Sequence, residues 1–479
     1  MKEGAHLAAS VGALLTSAAT YLVVYRTDAM QPLGPLRNLA ATLAATLPLL
    51  LLARGHGRAL LRTPEWLPDS ARGAGMVPQA RRRVLTLLLA GTVLLALCPP
   101  LGLVEGTDDA YRYLWDGKVL DHGVNPYRHP PLAPELSGLR DERLFPRIFR
   151  PEMRTVYPPL AQLWFWIGYR LSPGSLAGFK LLLMLHQLAS TLLLWRLVTR
   201  SGRPPMRAAL YAWSPLAVVQ LFAGAHLDGL MVPWVLAAVL LAENGAAAAA
   251  GAALGAASMI RPVALLCMPA LVLRRPVTGA HERAPRGAPG GLQGSVRGAA
   301  AVGGLAAATA LLLLPFAGAG ASMWESLLVY ARHWRFNGSL FQLTRALFDE
   351  RAREVTYTVV LVGSVAASWR RLRLSLAGRF LLAMGVYYAL APTVYPWYLL
   401  PLLALGVSCA SGSLLVLGLP ALATLSDLVF VEQQWHGRWQ VPGAALLLEY
   451  GAIFALLGHD VLRRIRRGQS PDERAPGGW

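Results

Sequence analysis

Fourteen apolar runs of 12–22 residues recur along the 479-residue chain. They cover 7–25, 38–53, 84–104, 177–198, 208–223, 229–243, 247–260, 262–273, 298–317, 355–369, 375–391, 396–409, 413–431 and 441–462. A helix of about 20 apolar residues crosses a ~30 Å hydrocarbon core, because each residue rises ~1.5 Å. Charged residues make up 15% of the chain, against roughly 25% in ordinary soluble domains. The pattern excludes a soluble enzyme and a disordered chain. A membrane β-barrel is also excluded, since it would show ~10-residue alternating strands. The expected fold is all-α, a polytopic transmembrane helical bundle of about 14 spans (12–14). The runs 247–260 and 262–273 are short enough to be one broken span or a re-entrant pair.

The net charge is +19, and its distribution gives the orientation. With the N-terminus inside, the inner segments carry 24 Lys/Arg against six Asp/Glu. The outer segments carry 17 against 15. Basic residues concentrate on the cytoplasmic side of membrane proteins, so both termini are expected in the cytoplasm. The excess charge is then a topology signal, and no nucleic-acid partner is implied. Residues 158–171 hold Trp164, Trp166 and Tyr169 and are short for a span; they read as an interfacial helix at the outer surface. Residues 7–25 read as a retained span, not a signal peptide.

This topology divides the chain. Residues 1–83 hold two N-terminal spans and a basic cytoplasmic loop. Residues 84–273 form a membrane module with a large outer loop, 105–176. The Pro/Gly/Arg-rich stretch 274–297 reads as a flexible cytoplasmic linker. Residues 298–467 hold the C-terminal spans and a second outer loop, 318–354, and 468–479 read as a disordered tail. Loops this long in compact proteins are usually functional. Cys98, Cys267 and Cys409 lie in apolar runs without paired spacing, so no disulfide framework or zinc site is implied.

The first outer loop opens with Thr107-Asp108-Asp109-Ala110-Tyr111-Arg112-Tyr113-Leu114-Trp115-Asp116-Gly117. Thr107 is a suitable N-cap, and acids in the first turn suit the helix dipole. At 100° per residue, Asp108, Asp109, Arg112 and Asp116 share an arc of about 100°. An amphipathic surface helix with an acidic stripe is expected, ended by Gly117 and then His122-Gly123. Two readings of the stripe stand together. Asp108, Arg112 and Asp116 at i, i+4 spacing make a solvated salt ladder. Alternatively, two adjacent carboxylates at a lipid–water boundary supply a general base, because crowding and desolvation raise the proton affinity of one of them.

Charges inside or at the ends of spans are costly and point to function. Lys180 either snorkels to headgroups or meets a ligand. Arg261, in Ile260-Arg261-Pro262, sits where two short helices meet, a place suited to a phosphate. His226-Leu227-Asp228-Gly229 reads as a tight outer turn, through either capping or binding. Tyr395-Pro396-Trp397-Tyr398 fits an aromatic belt or a binding wall. Arg332 to Asn337 mixes cations, aromatics and an amide, as sugar sites and plain interfacial loops both do. No Walker A loop, dinucleotide fingerprint, HExxH or GxSxG motif occurs. An activated donor would therefore arrive through the membrane.

Together these features resemble the GT-C superfamily of integral membrane glycosyltransferases that use polyprenyl-phosphate sugars. TDDAYRYLWDGKVLDHGVNPY (107–127) and TVYPPLAQ (155–162) are similar to its bacterial and archaeal mannosyltransferase-like group. AHLDG (225–229), IRP (260–262) and YPWYLLPLL (395–403) resemble later landmarks. The resemblance implies a GT-C-like bundle and inverting transfer of a sugar, mannose above others, to a hydroxyl acceptor on the outer face of a bacterial or archaeal cell membrane. Asp108 or Asp109 matches the catalytic base, Arg261 matches a cation placed toward the donor phosphate, and His226 and Asp228 match a His-Asn-Asp-like turn. Lys180 is a second candidate for the phosphate, and Tyr111, Arg112, Asp116, Tyr157, His226, Asp228, Arg332, Asn337, Tyr395 and Trp397 are the candidate sugar or acceptor contacts. Leu227 departs from a His-Asn-Asp-like turn. The implied partners are a polyprenyl-phosphate-linked sugar, an acceptor that is a glycan, lipid or protein, and membrane lipids. No cofactor is implied, although the acidic stripe offers room for a divalent cation. The alternative is a transporter or flippase of a lipid-linked saccharide. It would share the basic, aromatic groove without needing the adjacent acids.

Overall fold

The computed structural model describes residues 2–26, 36–55, 78–101, 108–273, 290–368, 374–410 and 412–468. Among the described residues the regular elements are all helices, without a β-strand, joined by turns and irregular segments such as 122–133 and 148–158. Every apolar run is helical over most of its length. Among the described residues, five helices are long and apolar enough to cross a membrane: Ala8–Arg26, Ala177–Arg200, Gly294–Ala319, Leu414–His436 and Gly443–Arg466. Shorter apolar helices are Ala247–Ser258, Pro262–Val272, Leu376–Leu390 and Pro396–Cys409.

Several local features differ from expectation. Runs 208–223 and 229–243 form one bent pair, Pro215–Ala223 and Leu227–Glu243, turned by 111°. A π-helical turn, Val218–Ala223, loosens the first arm. Ala225 at φ 56° then reverses the chain in the left-handed region. The His226–Gly229 turn is consequently buried at the break. A helix begins at Gly290, so 290–297 are not linker; the remainder of that stretch, 274–289, lies outside the described residues, as does 469–479 of the tail. The segment 318–354 carries two helices, Ser322–His333 and Leu340–Phe348.

The segment 108–176 folds back onto the bundle. Its helix Asp109–Asp121 continues through Gly117. A Cβ at Gly117 would lie 2.3 Å from the Phe165 carbonyl oxygen, so this glycine serves a close helix crossing and does not end the helix. Helix Pro159–Leu171 crosses it there, and Tyr113 stacks on Phe165 at 4.5 Å. Gly178 of Ala177–Arg200 packs against the Gly168 carbonyl in the same manner. The 109–121 helix is therefore sandwiched, with Arg112 and Asp116 buried. The expected solvated stripe holds only at its start: Asp108 is exposed, whereas helix 159–171 covers Asp116 through Gln162. Thr107, the expected N-cap, lies outside the described residues, and Asp108 stands at the cap position.

Two junction motifs lock together. Helix 159–171 starts with Pro158 and Pro159, which have no amide hydrogen to leave unsatisfied. Its next two amides, of Leu160 and Ala161, both donate to the Met259 carbonyl, at 2.9 and 3.2 Å. That carbonyl follows helix Ala247–Ser258. Pro262 then holds Arg261 extended, at φ −142° and ψ 117°, since a residue before proline avoids the helical region.

Helices 247–258 and 290–313 touch at backbone distance. A Cβ at Gly304 would sit 1.9 Å from the Ala248 carbonyl oxygen, whereas one at Gly303 meets nothing within 4 Å. Gly304→Ala is expected to cost about 1–3 kcal/mol through overpacking. Gly303→Ala should be neutral or slightly stabilising. Thermal unfolding of both variants in detergent checks this; equal midpoints would show that the helices do not approach so closely.

Candidate active site

The two long interhelical segments, 108–158 and 320–351, together with the ends of the neighbouring helices, line a cavity of about 900 Å³. Residues 108–112 and 149–158 form one side, the Arg261–Pro262 junction the floor, and segments within 327–335, 395–398 and 430–439 the other side. Asp108 and Asp109 are its carboxylates, and Arg112, Arg150, Arg154, Arg261 and Arg335 its guanidiniums.

Asp109 opens the helix and lies deeper than Asp108, which is exposed. Burial pushes the Asp109 carboxyl up to about 6; the Arg261 cation opposes this, while Asp228 and Asp108 add to it. Desolvation also raises Asp108, against the pull of Arg147. The pair thus has one carboxylate poised near neutrality and one closer to water, the division that general-base chemistry uses. Among the described residues no third metal-ligating side chain joins them in a cluster.

Arg261 is held from beneath. Its Nε and Nη2 donate to the two Asp228 carboxylate oxygens, each at 3.0 Å. Its guanidinium lies 4.7 Å from the Tyr398 ring centroid. Asp228 is 1% exposed. A bidentate clamp of this kind fixes the plane of the guanidinium and leaves Nη1 toward other partners. Arg112 is fixed similarly: its Nε donates to Asp116 at 2.8 Å. Asp116 also accepts from Gln162 Nε2 at 3.1 Å, and Gln162 bonds Thr155 at 2.7 Å.

The far wall is a stack of rings. His226 lies on Trp397 (centroids 3.3 Å apart), Trp397 on Tyr395 (4.6 Å), and Tyr395 on Phe336 (4.2 Å). Tyr398 and Tyr330 share a hydroxyl hydrogen bond of 2.8 Å beside it. Apolar ring faces next to guanidiniums and hydroxyls suit a ligand with both C–H faces and polar groups.

The structure therefore brings together Asp108, Asp109, Tyr111, Arg112, Tyr157, Arg261, Tyr395 and Trp397 of the expected residues. Others stand behind the wall. Asp116 supports Arg112, Asp228 supports Arg261, and His226 backs Trp397. Lys180 does not line the cavity; its Nζ donates to the Pro100 carbonyl at 2.8 Å. Arg332 is exposed and points outside the lining set, where His333, Trp334 and Arg335 stand instead. Asn337 is buried against Glu449. Sequence reasoning missed Gln162, Tyr330 and Trp439, and reached Arg335 only as part of the mixed motif 332–337. Gln162 left a trace as an amide in an apolar run.

A bundle of apolar helices around this polar, aromatic cavity defines an integral membrane protein with a buried reaction or binding chamber. Residues 6–275 match the MptA_B family, described as "Alpha-(1->6)-mannopyranosyltransferase, N-terminal domain", and the chain belongs to that family. An alpha-(1->6)-mannopyranosyltransferase of Mycobacterium tuberculosis is 31% identical over 161 residues, covering 32% of this chain and 26% of the relative. A Mycolicibacterium smegmatis protein named "Probable alpha-(1->6)-mannopyranosyltransferase" is 28% identical over 199 residues, 40% of this chain and 34% of the relative. The chain thus spans about a quarter to a third of the length of the curated relatives it matches. No solved structure matches it. The resemblance read from the acidic loop and its later landmarks is borne out at the level of family.

Removing one partner of a buried pair leaves the other charge uncompensated. Arg261→Gln is expected to destabilise the protein by about 3–5 kcal/mol. Adding Asp228→Asn should recover most of that loss, measured by thermal unfolding in detergent. A double variant as unstable as the single would show that the pair is not a unit.

Proposed function

We propose that the protein transfers a mannosyl group from a polyprenyl-phosphate donor to a hydroxyl acceptor, with inversion, on the outer face of the membrane. The observation that carries this reading is the adjacent Asp108–Asp109 pair opening into the same cavity as Arg112 and Arg261. The family and the names of its relatives support mannose as the sugar. The balance of basic residues between inner and outer segments supports the outward orientation.

In the proposed reaction the donor's phosphate meets Arg112 and Arg261. Each guanidinium is already oriented by a carboxylate behind it, so little reorganisation accompanies binding. Asp109 accepts the proton of the acceptor hydroxyl. The hydroxyl oxygen attacks the anomeric carbon from the face opposite the phosphate, forming the new glycosidic bond. The bond between that carbon and the phosphate oxygen breaks, and polyprenyl phosphate leaves as an anion. Its charge is stabilised by the guanidiniums and needs no protonation. Arg261 also tempers the base, since its cation lowers the proton affinity of Asp109 that burial raises. The aromatic wall takes the apolar face of a pyranose.

Purified protein given polyprenyl-phosphate mannose, glucose or arabinose without acceptor is expected to release mannose slowly from the first alone. Asp109→Asn should lower turnover by about 10²–10⁴-fold, the usual contribution of a general base. Full turnover in that variant would remove Asp109 from its role, and release in the Asp108/Asp109 double Asn variant would sink the reading. Because Asp109 must be ionised to accept a proton, activity should rise with pH through about 6 and be lost below it. An acid limb near the ordinary carboxylate range would contradict the assignment.

A further inference from the structure

The last described helix, Gly443–Gly468, runs along the outside of the bundle. Leu447 and Leu448 on it are 74% and 60% exposed. The next residue, Glu449, is 1% exposed. A carboxylate turned inward from an otherwise lipid-facing helix is costly unless it holds something. Both of its oxygens accept from Asn337 Nδ2, at 3.1 and 3.2 Å. The adjacent Tyr450 hydroxyl donates to the Asn337 carbonyl at 2.5 Å.

Asn337 sits in the second outer loop, between helices Ser322–His333 and Leu340–Phe348. It adopts the left-handed conformation, φ 52°, which asparagine tolerates better than most residues. On one side of it, Phe336 pairs with the strand-like segment before the ring wall. The Phe336 amide donates to Pro392 at 3.0 Å, and the Val394 amide donates to the Phe336 carbonyl at 2.8 Å. Phe336 then stacks on Tyr395 and meets Trp439 at 6.1 Å. Trp439 lines the cavity while 50% exposed, so this wall reaches its open mouth. Glu449 itself does not line the cavity.

We infer that Glu449, acting through Asn337, is a positioning residue that latches the second outer loop as the acceptor-side wall of the cavity. The inference rests on the transfer reaction proposed above. In that reaction the lipid-linked donor comes from the membrane, and the acceptor comes from water past the exposed rings. A loop released from its latch loosens Trp334, Arg335 and the Phe336–Tyr395 stack, leaving Asp109, Arg112 and Arg261 on their separate supports. Loss should therefore fall on acceptor binding.

The test compares Glu449→Ala, Asn337→Ala, their double variant and Glu449→Gln in the full chain. Transfer from polyprenyl-phosphate mannose to α-(1→6)-mannobiose is followed beside donor hydrolysis without acceptor. Either single variant should raise KM for mannobiose about tenfold, with kcat and donor hydrolysis within about twofold of the parent. The double variant should be no worse than the singles, as expected for two members of one contact. Glu449→Gln keeps an acceptor for Asn337 and should restore a near-parental KM. Tyr450→Phe, which removes a single hydroxyl, should raise the same KM by about two- to threefold even where Glu449→Ala fails to fold. Equal loss of kcat, KM and donor hydrolysis would reduce Glu449 to a structural residue. Unchanged KM in Glu449→Ala, or in Tyr450→Phe, would overturn the latch. Donor hydrolysis that survives in the Asp108/Asp109 double Asn variant would instead overturn the transfer reading, which separates the two failures.

Discussion

The site depends on one ion pair placed where an ion pair is hardest to keep. Asp228 is buried at the break of a bent helix pair, and Arg261 clamps it through two hydrogen bonds of 3.0 Å. Neither charge is tolerable alone in such surroundings. Each therefore fixes the backbone that carries the other. Asp228 exists at that point because a π-helical turn and a left-handed Ala225 fold the chain back inside the bundle. Arg261 exists there because Pro262 keeps it extended between two short helices. The Met259 carbonyl, two residues earlier, receives the first free amides of helix 159–171. That helix in turn carries Gln162, which supports Asp116 and through it Arg112. A single junction thus sets the floor of the cavity and, through one more helix, the wall that bears the acids.

Much of the fold was legible because each apolar run has one physical use. A stretch such as 177–198 or 441–462 satisfies its backbone only as a helix in an apolar medium, and helices stand there. What could not be read was how helices meet. Gly117 looks like a helix stop, yet it is the point where helix 109–121 lies on the backbone of Phe165. Gly304 and Gly303 are indistinguishable in sequence, and only the first faces a carbonyl of another helix. The bend at 224–228 had a turn signal but not its location, because a buried turn and an outer turn use the same residues.

The site was legible in its chemistry and less so in its depth. The Asp108–Asp109 pair, Arg261 and the Tyr395–Tyr398 segment were all identified from residue types, and they line one cavity. The helical wheel correctly placed Arg112 and Asp116 on one arc with the acids. It could not show that helix 159–171 would cover the Asp116 end of that arc and turn that part of a solvated ladder into a buried support. Lys180 was over-read for the opposite reason: a lone cation in an apolar run is equally consistent with a carbonyl partner, here Pro100. Arg332 and Asn337 were found through their neighbours in a mixed motif. The residues of that motif that line the cavity are His333, Trp334 and Arg335.

Adjacent carboxylates are seldom equivalent, and the difference between these two follows from position on the helix. Asp108 is the cap residue, exposed and drawn toward Arg147. Asp109 is the first helical residue and turns toward the Arg261–Asp228 pair. There, desolvation raises its proton affinity more than the cation lowers it. A base must be ionised at the working pH and still hold a proton well. A group near 6 is about nine-tenths ionised at pH 7, yet it binds a proton roughly a hundredfold more tightly than an ordinary aspartate. Compensation by Asp228 is what permits this. An Arg261 without its buried carboxylate would act on Asp109 with its full charge and pull it back toward the ordinary carboxylate range, weakening the base. For the transfer proposed here, the ion pair below the cavity therefore does more than hold the floor. It keeps a guanidinium close enough to meet a phosphate without making the neighbouring acid too weak a base to accept the hydroxyl proton.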